Sequence, residues 1–199
     1  MSIIINNTYK MEAQETRTGI SSAKLILYLA IGSICMLFAG LTSAYIVRQA
    51  EGNWLLFDIP NMFYYSTAAI VISSITLQLG VFAAKKGNKS QLNIYLLLTL
   101  SLGLLFTYLQ YLGWGSLYSK GVVFTGANAN ASGSFLYVLT ALHIAHLVGG
   151  LLYLLGLSIR TIFSKDLQKL HFKAELCSIY WHFLGLLWIY LLLFLVFIR

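Results

Sequence analysis

The chain has 199 residues, of which 59% are hydrophobic and 10% are charged. A soluble domain carries about 25% charged residues, so this composition and the mean hydropathy of +0.79 exclude an ordinary soluble domain and indicate a polytopic membrane protein. The formal net charge of +7 does not predict a nucleic-acid partner, because the basic residues lie between apolar runs and form no single patch. Cys35 and Cys177 lie in different apolar runs, so neither a disulfide framework nor a zinc-ligand spacing is predicted.

A polar segment over residues 1–23 comes first, and five apolar segments follow it. Each segment is long enough to cross about 30 Å of hydrocarbon. Each must be a helix, because lipid offers no hydrogen-bonding partner to an open backbone. We therefore predict an all-α fold, with a single five-helix transmembrane domain over residues 24–199 and short connections that make sequence neighbours antiparallel. The expected spans are residues 24–47, 61–84, 91–117, 134–160 and 174–198.

Basic residues divide unequally between the two sides of such a bundle. Three lie on one side, at Arg48, Lys120 and Arg199. Ten lie on the other: Lys10, Arg17, Lys24, Lys85, Lys86, Lys89, Arg160, Lys165, Lys169 and Lys173. Since lysine and arginine are enriched in cytoplasmic connections, we expect the segment over residues 1–23 to be cytoplasmic and the C-terminus to lie outside.

Four polar residues fall within or beside the last two apolar segments. Glu175 and His182 are seven residues apart, close to two helical turns, so they share one face of the fifth helix. A histidine in hydrocarbon costs free energy unless it finds a partner or a polar cavity. The fourth helix carries His143 and His146, and we expect a partner for His182 there. The prediction is that His143, His146, Glu175 and His182 form an interhelical polar network or contact lipid headgroups.

Small residues recur every fourth position on the fourth helix, at Ala141, Ala145 and Gly149. Such a smooth stripe allows another helix to approach closely. We expect this stripe to pack against a helix, while the two histidines lie toward the other side.

Besides a structural or lipid-contacting role for these polar residues, two classes of function remain open from the residues alone. His143 or His146 could hold one haem together with His182, which would make the chain a one-haem membrane cytochrome. The lone His-x-x-His spacing is weak support for a metal site, because no acid lies in a helix interior. A small transporter is also conceivable, although Pro60 begins a helix and interrupts none. No catalytic, cofactor-binding or metal residue is predicted.

Five stretches, in chain order, resemble the cytochrome c oxidase subunit III family of haem–copper respiratory oxidases. They are residues 32–45, residues 73–80, residues 104–110 with Trp114, residues 133–149, and residues 175–188 with the run Tyr-Trp-His-Phe. The resemblance covers nearly the whole chain from about residue 24.

This resemblance implies a non-catalytic subunit that binds no haem or copper itself. Haem and copper are then expected in the catalytic subunit I, with which this chain and other oxidase subunits would assemble in a bacterial plasma membrane. Phospholipids would occupy clefts of the bundle. The subunit would support oxygen reduction and proton translocation through assembly, lipid binding and sustained proton uptake. Subunit III of a quinol oxidase is the alternative, because the electron donor binds elsewhere.

Three positions depart from the family pattern. Many relatives carry a glutamate in the first of these helices where this chain has Ile34. Acids that relatives often carry in the third and last helices are replaced here by Gly113 and by Gly185 or a close neighbour. Roles that depend on those acids are therefore not expected. Longer relatives have two further N-terminal helices, so one wall of the usual lipid cleft is expected to be missing or supplied by another subunit.

Overall fold

The structure is a computed structural model that describes residues 21–52, 54–126, 129–163 and 166–198. Five α-helices account for most of these residues, and the described residues contain no strand. We label them in chain order: α1 Ser22–Ala50, α2 Asn61–Lys85, α3 Lys89–Ser119, α4 Ala131–Phe163 and α5 Leu167–Phe197. All five are long and apolar enough to span a membrane. The predicted all-α, five-span fold is confirmed, while most of the polar segment expected over residues 1–23 lies outside the described residues.

The helices around the last connection are longer than the apolar runs. Helix α4 continues to Phe163, and α5 begins at Leu167 rather than near residue 174. The side chain of Asp166 accepts a hydrogen bond from the backbone N–H of Lys169 at 3.2 Å, which caps α5. The Lys169 side chain lies 3.0 Å from the same carboxylate and holds its pKa below the usual value. Apolar length therefore locates the span but underestimates the helix, since capped turns continue beyond the apolar run.

Helices α2–α5 form a closed four-helix ring. In the ring α2 packs on α3 and α5, and α4 packs on the same two helices. Two hydrogen bonds between α2 and α3 show that these helices are antiparallel, because Thr76 bonds to Thr99 while the earlier Ser66 bonds to the later Gln110. Helices α3 and α4 are antiparallel in the same way. Helix α1 lies outside the ring against α4 and α5. It runs parallel to α5, because Lys24 pairs with Glu175 near one end and Thr42 with Tyr190 toward the other.

Large side chains fill hollows left by glycines at the centre of the ring. Trp181 is fully buried and lies where Cβ atoms on Gly103 and Gly150 would come within 2.8 and 3.3 Å of its ring. Phe63 occupies the space beside Gly113, where a Cβ atom would lie 2.5 Å from its ring. Lipid tails are as apolar as leucine, so burial of apolar surface alone does not favour contact between helices in a membrane. These glycines favour helix association because they allow closer packing.

The predicted small-residue stripe does not lie in these contacts. Ala141, Ala145 and Gly149 are all exposed on the outer side of α4. A Cβ atom on Gly149 would meet nothing within 4 Å. Helix α4 instead turns His143, Leu147 and Gly150 toward the ring. Among the described residues no helix packs closely on this stripe, so its role in helix packing stays a prediction.

Candidate functional site

Glu175 joins α5 to α1. Its Oε1 atom lies 2.7 Å from Lys24 Nζ, and both side chains are partly exposed. The ammonium group of Lys24 also lies 5.9 Å from the centroid of the Phe172 ring. This pair sits at the end of the bundle that carries Lys85 and Lys89, which we call the basic end. Glu175 is therefore an anchor for α1 rather than an acid within the hydrocarbon.

His182 finds its partner on α2. Its Nε2 atom lies 3.1 Å from Gln78 Oε1, which also accepts a hydrogen bond from Ser178 at 3.2 Å. The structure thus differs from the expectation of a partner on α4. Tyr180 is the residue that bonds to α4, since its hydroxyl donates to the carbonyl of His146 at 3.1 Å. Residues two apart on a helix are rotated by about 200°, so Tyr180 and His182 face different neighbours.

The two histidines of α4 lie in different surroundings. His146 Nδ1 lies 2.7 Å from the carbonyl of Leu142 in its own helix, and its ring packs against Phe38 of α1 at 5.9 Å. His143 is completely buried between Trp188 at 5.3 Å and Phe106 at 5.9 Å. Neither ring nitrogen of His143 has a hydrogen-bond partner among the described residues.

The four predicted site residues are therefore not brought into one network. Across the described parts of the chain, no hydrogen bond joins any two of His143, His146, Glu175 and His182. Among the same residues there is also no group of three or more His, Cys, Asp or Glu side chains that could hold a metal ion. His182 faces Gln78 while His143 faces two aromatic rings, so the described contacts do not support a haem held between them.

The structure adds a set of buried and partly buried hydrogen bonds that join the ring helices. The indole nitrogens of Trp181 and Trp188 donate to Ser73 and Thr67 of α2, each at 2.9 Å. Two further hydrogen bonds are of the same kind, because each joins an amide or indole nitrogen to a hydroxyl on a neighbouring helix. They join Gln110 to Ser66 at 2.8 Å and Trp114 to Thr140 at 3.0 Å. The seven-residue spacing of the tryptophans, matched by six between Thr67 and Ser73, was a signal that could have predicted this pairing.

A groove separates α1 from the ring at the basic end. We call it the α1 groove; it holds about 410 Å³ and is lined by Ile26, Leu27, Gly149, Tyr153 and Tyr180, with Cys177 also on its wall. A smaller adjoining cavity of about 300 Å³ shares Tyr153 and carries Arg160 and Lys173. Apolar walls next to two cations can receive an acyl chain together with an anionic headgroup.

The fold and these contacts define a multi-pass membrane protein in which several of the described polar side chains join neighbouring helices. The family model for cytochrome c oxidase subunit III matches residues 55–198. The chain belongs to the cytochrome c oxidase subunit III family.

Relatives match over most of their length. A probable cytochrome c oxidase subunit 3 from Nocardia farcinica is 36% identical over 193 residues, covering 92% of this chain and 90% of the relative. One from Mycobacterium tuberculosis is 34% identical, with the same coverage. A cytochrome bo(3) ubiquinol oxidase subunit 3 from Buchnera aphidicola is 28% identical, covering 87% of this chain and 91% of the relative. Family membership implies an oxidase complex with other subunits.

Proposed function

We propose that this chain is the non-catalytic subunit III of a haem–copper terminal oxidase in a bacterial plasma membrane. The observation that carries the proposal is the family match over residues 55–198 on a five-helix bundle. The chain itself binds neither haem nor copper, and the catalytic subunit I carries both. The subunit supports oxygen reduction and proton translocation by assembling with subunit I, holding lipid and sustaining proton uptake.

The proposed single transmembrane domain covers about residues 24–199, and charge supports a cytoplasmic N-terminus for it. In the structure Lys24, Lys85, Lys89 and Arg160 lie in the first or last turns of helices at the basic end. Cytoplasmic ends of membrane helices carry such an excess of positive charge. With five spans, the C-terminus then lies on the opposite side.

Phospholipid is the proposed occupant of the α1 groove. Its walls are apolar, and Arg160 and Lys173 line the adjoining cavity at the level expected for headgroups. The proposed lipid would fill the space between α1 and the ring that protein leaves open. Its headgroup would lie near the basic end.

The electron donor has two candidates. Cytochrome c is the first, because the actinobacterial relatives are named for cytochrome c oxidase. A quinol is the second, because relatives from Buchnera aphidicola and Pseudomonas aeruginosa are named for ubiquinol oxidase. The donor binds outside this chain, so only the assembled enzyme can distinguish them.

Gentle detergent purification by a tag on this chain tests the proposal. A large haem–copper subunit should co-purify, and oxidation of cytochrome c or of a quinol by the preparation identifies the donor. A haem spectrum from the isolated chain, without any partner, would instead support the one-haem cytochrome.

A structural role for the histidines gives a second test. His182→Ala removes the bond to Gln78 and should lower the yield of assembled complex. The haem spectrum of the enzyme that does assemble should be unchanged, because His182 touches no haem in this proposal. Loss of haem from assembled enzyme would contradict it.

A further inference from the structure

The groove between α2 and α5 presents polar groups at a depth where lipid offers none. We call it the α2/α5 groove; it holds about 550 Å³. Its floor is Ser74 and Gly185, where a Cβ atom on the glycine would lie 3.3 Å from the serine hydroxyl. The apolar rims stand above this floor and are exposed or half-buried: Val71, Ile75, Leu79 and Phe82 on α2, and Leu186 and Ile189 on α5. Small residues at the floor leave the groove open to a third helix.

Gln78 and His182 give this groove unused hydrogen-bonding capacity. Both line it, and Gln78 Oε1 accepts from His182 Nε2 and from Ser178. Because Nε2 of the imidazole donates, Nδ1 of the neutral ring is an acceptor. The amide nitrogen of Gln78 carries two donors. Within the described residues neither nitrogen has a hydrogen bond.

The depth of these groups excludes ordinary solvation. Gln78 lies seven residues before Lys85, and His182 lies seven residues after Glu175. Seven residues of helix span about 10 Å, so both groups lie inside the hydrocarbon, measured from the charged residues of the basic end. An acyl chain there would leave an amide and an imidazole unsatisfied, which costs free energy. A protein side chain could satisfy them.

We propose that the α2/α5 groove is the docking surface for a transmembrane helix of a partner subunit, and that this helix carries a hydrogen-bonding side chain level with Gln78 and His182. The rim residues recur at helical spacing on both walls, which suits a helix lying along the groove. This inference rests on the proposed function, since that function supplies the partner subunit.

Photo-cross-linking in the assembled complex tests the surface directly. A photoreactive benzoylphenylalanine replaces Leu186 on the groove rim, and the matched control replaces Leu104 on the exposed side of α3. The two leucines are 69% and 56% exposed, so their probes have similar access. The Leu186 probe should join this chain to a transmembrane segment of another subunit, identified by mass spectrometry, in higher yield than the Leu104 probe.

The outcomes separate this inference from the proposed function. If a haem–copper subunit co-purifies but the Leu186 probe joins only lipid, only a second copy of this chain, or no more protein than the Leu104 probe, the docking surface is overturned and the function stands. If the Leu186 probe joins a membrane protein and no haem–copper subunit is present, the surface stands and the function is overturned.

A pair of amide substitutions tests the hydrogen bond itself. Gln78→Leu should lower the amount of partner recovered per tagged chain about threefold, the factor expected for one average interhelical hydrogen bond in a membrane. Gln91→Leu removes an exposed amide from the first turn of α3 and should leave recovery unchanged. The thermal stability of each tagged chain, measured without partners, corrects for damage to the fold. Equal recovery in the two variants would overturn the role of Gln78 in docking.

Discussion

Helix α1 and the four-helix ring are held by contacts of different kinds. The ring places the fully buried Trp181 against two glycines and joins its helices by indole–hydroxyl hydrogen bonds. Helix α1 buries only Ile34, Phe38, Thr42 and Tyr45 among its 29 residues. Its other attachments include the ion pair at Glu175, the contact of Lys24 with Phe172, and the hydroxyl contact between Tyr190 and Thr42.

This difference shows what stabilises a bundle in lipid. Apolar area alone does not favour a helix neighbour over a lipid neighbour, so dense packing and interhelical hydrogen bonds must do so. The ring has both, whereas α1 has one narrow stripe of contacts. We therefore expect substitutions in the ring to lower stability more than comparable substitutions on α1, and α1 to loosen first.

The largest expected effect is that of Trp181→Ala. It opens a cavity beside Gly103 and removes the bond to Ser73. The free energy of unfolding should fall by about 3 kcal/mol, the lower end of the range for truncation of a buried tryptophan to alanine. The lower end applies because a side chain that leaves the bundle core enters lipid rather than water. Denaturing-detergent titration measures it. Leu29→Ala, on an exposed site of α1, is the control and should change it by less than about 0.5 kcal/mol. Equal losses of unfolding free energy in the two variants would contradict the expected difference between the ring and α1.

A second test exchanges hydrogen for methyl at two helical glycines. Gly113→Ala places a Cβ atom 2.5 Å from Phe63, which is itself fully buried, so the side chain or one of the two helices must shift. The free energy of unfolding should fall by about 1–3 kcal/mol. Gly40→Ala on α1 meets nothing within 4 Å and should raise it by up to about 1 kcal/mol through helix propensity. A neutral Gly113→Ala variant would contradict the close packing of the ring.

Sequence predicted the class and the number of spans because lipid restricts the choice. Apolar length identifies a span, and an unpaired backbone in hydrocarbon forces a helix. Rotation of each helix about its axis was harder to predict. Glu175 and His182 do share a face in sequence, yet Glu175 reaches α1 and His182 reaches α2. The identity of a partner depends on which neighbour occupies that face, and the spacing of residues does not contain this information.

The glycines illustrate the same limit. Ala141, Ala145 and Gly149 have the regular spacing of a packing stripe but are exposed, whereas Gly103, Gly113 and Gly150 form no such repeat and make the close contacts. Each contact depends on a large ring from another helix, so no pattern within one helix reveals it. Gly113 stands where relatives often carry an acid, and the structure gives a physical reason for the glycine. An acidic side chain at that position would collide with Phe63.

A smaller effect is expected where α1 meets the ring at the end opposite the basic end. The phenol group of Tyr45 packs edge-on against three aromatic side chains, with centroid distances of 4.7 Å to Trp54, 5.0 Å to Phe194 and 5.8 Å to Phe135. Tyr45→Leu should lower the free energy of unfolding by about 1 kcal/mol, since aromatic pairs contribute about 0.5–1.5 kcal/mol beyond their burial. Tyr28→Leu, on the exposed side of α1, should have no such effect. A loss as large as that of Trp181→Ala would make α1 an integral part of the ring.

The smallest expected effect is at the ion pair between Lys24 and Glu175, and Cys177 can report it. That cysteine is buried on the wall of the α1 groove, two residues beyond Glu175, whereas Cys35 is exposed. Lys24→Gln should loosen α1 and raise the rate at which N-ethylmaleimide labels Cys177, with Cys35 as the internal reference. The increase should be about twofold, in line with the weak contribution of partly exposed pairs.

Salt distinguishes this ion pair from a general disturbance of α1. Salt screens exposed charges, so the difference in Cys177 labelling between the Lys24→Gln variant and the unaltered chain should shrink as salt is added. Lys86→Gln removes one positive charge from an exposed site at the same end of the bundle and should leave the labelling rate unchanged. Equal acceleration in the two variants would show that net charge, rather than the contact with Glu175, controls access to the groove. Since α1 would still be held by its buried stripe, the Lys24→Gln variant should retain its free energy of unfolding more fully than Tyr45→Leu.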